Sequence, residues 1–90
     1  FMPTKKIQVK GIVQGVFYRA GAKEFAAVSG VTGWIRNTIQ GDVEAVITGS
    51  TDQLEQFINW CRKGPARAMV SDLKIFEEPD TQFKDFRILR

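Results

Sequence analysis

The 90-residue sequence predicts an α+β fold, a ferredoxin-like two-layer α/β sandwich in which one antiparallel sheet carries both helices on one face. Three observations predict it. Two segments repeat apolar residues with a helical period, five short stretches are rich in β-branched or aromatic residues, and their order is β-α-β-β-α-β followed by a short terminal strand. The length suits one domain, residues 1–90, with a single core. Phe1 ahead of Met2 reads as a remnant of processing, and it and the first few residues are expected to form a tail.

The first strand is KKIQVKGIV (5–13), in which apolar and polar residues partly alternate. The first helix, Tyr18 to Ser29, places Ala22, Phe25, Ala26 and Ser29 on one face and closes at Gly30. VTGWIRN (31–37) and DVEAVITG (42–49) read as strands joined through TIQG, a loop that suits a hairpin. The second helix follows Ser50, with Leu54, Phe57, Ile58 and Cys61 on one face. Ser50 and Gln53 have the spacing of a capping box, Asp52 and Glu55 favour the positive end, and Arg62 and Lys63 precede the stop at Gly64-Pro65. MVSDLKIFE (69–77) and FKDFRILR (83–90) complete the sheet, with Glu77-Glu78-Pro79-Asp80 as a solvated turn between them. Trp34 and Trp60 read as core or core-edge aromatics, and Cys61 as a small core residue.

Composition narrows the chemistry. Hydrophobic residues make up 43% and charged ones 26%, the balance of a globular chain. There is no histidine and one cysteine, which removes His-based triads, His/Cys zinc sites and intrachain disulfides. No apolar run approaches the ~20 residues that span a bilayer, and FMPTKK lacks a signal-peptide core, so a soluble, cytoplasmic protein is expected. The net charge of +3 lies wholly in the first half, where six basic residues face three acidic ones; residues 46–90 hold seven of each. A small anion fits this modest excess better than nucleic acid does.

The link between the first strand and first helix offers a place for that anion. It reads Gly11-Ile12-Val13-Gln14-Gly15-Val16-Phe17-Tyr18-Arg19. Gly15 can turn successive backbone N–H groups inward, and the following helix adds its unpaired N–H groups and positive dipole end. It is neither a Walker A loop nor a dinucleotide fingerprint. Arg19, disfavoured at a helix start, is relieved if an anion bridges it; position alone also allows a solvent-exposed arginine. Asn37 ends a strand before the hairpin, where asparagine is a common turn residue, but its amide can also orient a water.

The stretch from Val9 to Arg19 resembles the first signature of the acylphosphatases, a hydrophobic residue and G-x-V-Q-G-V, then one variable residue, an apolar residue and Arg. Gly33-Trp34-Ile35-Arg36-Asn37, with Gly41, Val43 and Gly49, resembles their second signature. Tyr18 stands where Phe or Met is usual, and Ile35 where a smaller Val, Ala or Cys is common. The likeness in length and element order covers essentially the whole chain.

The resemblance implies hydrolysis of a carboxyl–phosphate anhydride to carboxylate and phosphate. Arg19 and the loop N–H groups of Gly15, Val16, Phe17, Tyr18 and Arg19 would bind the phosphoryl oxygens, with Asn37 placing a water for in-line attack. A carboxylate, with a pKa of ~4, leaves without an acid catalyst. The expectation is an enzyme with no metal or cofactor, acting as a monomer on acyl phosphate, phosphate or other small anions, with no membrane or nucleic-acid partner. Two other readings share the fold, a non-catalytic phosphate-binding domain and an RNA-binding module. The second lacks its aromatic motif, and a metal-transfer module would need a C-x-x-C pair.

Overall fold

In the computed structural model, residues 2–90 are described; Phe1 lies outside them. β1 (Thr4–Ile12) buries Ile7 and Val9 on one face and turns Lys6, Gln8 and Lys10 to the other, as period-two alternation requires. It lies between β3 (Val43–Thr48) and β4 (Met69–Glu78), antiparallel to both. β2 (Thr32–Asn37) pairs antiparallel with β3, and β5 (Phe86–Ile88) adds to the outer edge of β2. The strand order is β4-β1-β3-β2-β5.

The predicted all-antiparallel sheet is corrected in one place, since β5 runs parallel to β2. The chain leaves β4 at one edge and must cross the sheet end to reach the other, which sets that direction. The crossing also shortens the strand expected over 83–90. Thr81 gives its N–H to Thr4 Oγ1 (2.8 Å) and accepts at its carbonyl from Thr48 Oγ1 (2.7 Å), while the two hydroxyls bond each other at 2.7 Å. Those bonds hold Thr81 at the end of the sheet, and the first backbone bond between this segment and β2 is from Gly33 N–H to Asp85 O (2.9 Å), with paired residues from Phe86 to Ile88. The acidic turn is corrected likewise: β4 continues to Glu78, and Glu77 forms an ion pair with Lys5 across the strands.

Both helices have the predicted bounds to within a residue. α1 (Tyr18–Ser29) buries Tyr18, Ala22 and Ala26, and α2 (Thr51–Lys63) buries Leu54, Phe57, Ile58 and Cys61. Phe25 and Trp60 are half-buried and stack at 6.0 Å between centroids, joining the helices over the core. The capping box is present in full, with Ser50 N–H on Gln53 Oε1 (2.8 Å) and Gln53 N–H on Ser50 Oγ (3.2 Å).

The face opposite the helices carries paired charges. Glu44 accepts from Arg36 (2.7 Å) and lies 3.5 Å from Lys6, Lys10 lies 3.4 Å from Asp42, and the Arg36 guanidinium covers the Trp34 ring at 5.2 Å. β1 and β3 therefore present ion pairs and not the stacking aromatics that an RNA-binding sheet needs.

Candidate active site

The strand–helix link and the hairpin meet at one end of the sheet. A cavity of about 690 Å³ lies there, lined by Val13, Gly15, Phe17, Arg19, Asn37 and the chain after β5, with Tyr18, Ala20, Ile88, Leu89 and Arg90 completing the wall. Of the predicted site residues, Gly15, Phe17, Tyr18, Arg19 and Asn37 line it. Val16 does not: its side chain is buried in the core, which leaves only its N–H for the loop.

The loop has the backbone of an anion cradle. Gly15 (φ 75°) and Phe17 (φ 64°) both occupy the left-handed region, alternating with residues that do not. Among the described residues, nothing accepts the N–H groups of residues 15–20. α1 starts at Phe17 with no side-chain cap and no acidic residue in its first turn. Its start therefore keeps its donors and its positive dipole end free, in contrast to α2.

Arg19 stands out among the basic residues of the first half. Lys5, Lys6, Lys10 and Arg36 each have a carboxylate partner, but Arg19 and Lys23 have none among the described residues. Of the six basic residues in the first half, Arg19 alone lines the cavity, where Arg90 from the end of the chain joins it. Asn37 is the second conspicuous group: its Oδ1 is buried and has no hydrogen-bond partner. Leaving a buried carbonyl oxygen unsatisfied costs about 1–3 kcal/mol, so such an atom calls for a ligand or a water.

Two contributions escaped the sequence. Gln14 gives both hydrogens of its side-chain amide to the hairpin, to Thr38 O (2.9 Å) and Asp42 O (2.8 Å), which ties the loop to the turn that follows Asn37. Its place directly before Gly15 was the available signal. The hairpin is closed by Thr38 N–H on Asp42 O (2.9 Å) and Asp42 N–H on Thr38 Oγ1 (3.1 Å). The second contribution is that of Tyr18, which is fully buried and gives its hydroxyl to Cys61 O at 2.6 Å. Burial pushes the Tyr18 phenol upward, and pushes the Cys61 thiol up to about 12 against a smaller opposing effect of Tyr18. Both groups stay neutral, and Cys61 is no nucleophile at neutral pH.

The chain is similar in sequence and fold to known proteins. The sequence pattern of the family described as Acylphosphatase matches residues 5–88. An acylphosphatase of Syntrophus aciditrophicus is 48% identical over 84 residues, covering 92% of this chain and 88% of its own. One of Aeropyrum pernix is 45% identical over 85 residues, covering 92% and 84%. The structure of an acylphosphatase from Coxiella burnetii superposes with a TM-score of 0.93 at 34% identity, over 98% of this chain and 93% of that one. With a shared pattern, extensive identity and a common fold, the chain belongs to the acylphosphatase family.

Proposed function

We propose that this protein is an acyl phosphate hydrolase whose site is the cavity between the 15–19 loop and Asn37. The observation that carries the reading is that Asn37 lines the same cavity as Arg19 and Gly15, at the loop whose N–H groups are unpaired. A side-chain amide on that wall can hydrogen-bond a water and turn its lone pair toward a phosphoryl group held in the cradle. The water oxygen forms a bond to phosphorus as the bond from phosphorus to the acyl oxygen breaks. The carboxylate leaves with the electron pair. The proton of the attacking water passes to a phosphoryl oxygen, so neither a protein base nor a metal is needed for the step. Arg19 and the N–H groups of Gly15, Val16, Phe17, Tyr18 and Arg19 stabilise the charge on the equatorial oxygens.

The residues proposed for the reaction all belong to one chain, and the reading includes action as a monomer on small anions, with residues 1–90 as one domain. A lone buried thiol suits the reducing cytoplasm. No helix among the described residues is long and apolar enough to cross a membrane.

Phosphate release from benzoyl phosphate, measured beside an ordinary phosphate monoester, tests the reaction. Rapid cleavage of the first with little of the second is expected; cleavage of neither overturns the hydrolase in favour of a phosphate-binding domain. The roles separate by substitution. Arg19→Gln loses phosphate inhibition and turnover together, whereas Asn37→Ala binds phosphate within about two-fold of wild type and loses at least about 100-fold in kcat. Near-normal turnover by Asn37→Ala refutes the water-positioning role. Turnover abolished by EDTA and restored by Mg²⁺ refutes the metal-free step.

A further inference from the structure

Phe17 is an anomaly that the binding of phosphate does not explain. It has φ 64°, a conformation that L residues rarely adopt, and the residue is 73% exposed. Glycine or asparagine would make the same turn with less strain and would offer the same N–H. The ring therefore brings the fold neither local ease nor burial.

A second cavity explains its position. Of about 660 Å³, it is walled by Phe17, Ala20, Ala27, Pro65 and Ile88, with Lys23 and Glu24 supplying opposed charges. Phe17, Ala20 and Ile88 line both cavities, so the two adjoin at the start of α1. Asn37 lines only the first.

We propose that Phe17, Ala20 and Ile88 seat the acyl group of the substrate and select acyl phosphates with an aromatic or extended aliphatic acyl chain over those with a small one. The inference rests on the hydrolase reading above and adds to it the substrate class. In-line attack from the side of Asn37 sends the leaving carboxylate away from that residue. The wall shared with the second cavity is apolar, so an acyl chain lying on it leaves water, and the exposed ring gains a partner. The phosphoryl group is then read by the backbone and Arg19, and the acyl group by the Phe17 side chain.

Acyl chain length separates this contact from leaving-group effects, because acetyl, butyryl and hexanoyl phosphate release carboxylates of nearly equal basicity. Each fully buried methylene contributes about four-fold, so partial burial of four is expected to raise kcat/KM at least about ten-fold from acetyl to hexanoyl phosphate. In Phe17→Asn, which keeps a residue tolerant of the left-handed turn, that rise falls to about two-fold or less; Phe17→Tyr retains it. A flat series in the wild-type protein overturns the inference without any variant. So does a slope in Phe17→Asn equal to that of wild type. Failure to cleave any member of the series overturns the hydrolase reading instead.

Discussion

Cys61 and Tyr18 are the side chains whose ionisation the fold opposes, and this makes stability depend on pH in one direction. Both acids ionise at higher pH in the folded chain than in the unfolded one, so the folded state holds more protons once the unfolded groups begin to lose theirs. Stability from this source is complete below about pH 8.5, the unfolded thiol value, and is lost as pH rises toward the folded value of about 12. Each group adds a slope of at most about 1.4 kcal/mol per pH unit. Urea unfolding at pH 8, 9.5 and 10.5 should show a progressive fall, with a shallower fall for Cys61→Ala; equal slopes would show that the thiol does not contribute. Among glycines, Gly33 is the least replaceable. It has φ 140°, and a Cβ there would lie 1.9 Å from Val46 O, so Gly33→Ala should destabilise by at least about 3 kcal/mol or fail to fold. Arg19 and Asn37 were legible because each ends a recognisable local pattern. Tyr18 was legible only as an apolar body, since its partner Cys61 lies 43 residues away.

The helix starts show what local sequence can and cannot tell about an element. Ser50 and Gln53 declare a cap three residues apart, and the structure contains both of its bonds. Ser50→Ala should lower stability by about 1 kcal/mol without altering turnover, because α2 reaches the site only through the core. At α1 the informative fact is the lack of any cap, which becomes a signal only when the neighbouring hairpin is placed. That placement rests on Gln14, whose two bonds cross 24 and 28 residues. Gln14→Met keeps the volume and removes both donors. It should reduce kcat about ten-fold while phosphate inhibition stays within about two-fold, since the cradle N–H groups persist and their register with Asn37 does not. A loss of melting temperature with kcat unchanged would assign Gln14 to stability alone. β5 was legible as a strand but not in direction or length, because both depend on how the 79–85 crossing is tied to Thr4 and Thr48.

Across the whole molecule, the two ends of the sheet divide the work. The loop, Asn37 and the chain after β5 gather at one end, and Thr4, Thr48 and Thr81 close the other. Thr48→Val removes a buried hydroxyl and leaves the Thr81 carbonyl only the longer bond from Thr4 Oγ1 (3.3 Å), so it should reduce stability by about 1 kcal/mol with kcat/KM unaltered. Reduced kcat/KM in a folded Thr48→Val protein would show that the ends are coupled. The two-layer architecture was readable as a whole because period, turn residues and caps agree along the chain, whereas the cavities are products of packing between segments distant in sequence. The open start of α1 has a further consequence. A helix without its own cap leaves the last part of its stabilisation to whatever anion occupies the loop, so the fold and its occupant share one equilibrium. An inhibitory phosphate at one hundred times its Kd adds about 2.7 kcal/mol to unfolding. Melting curves in phosphate and in an amine buffer would then describe two different thermodynamic species, and the gap between them would measure affinity without a turnover assay.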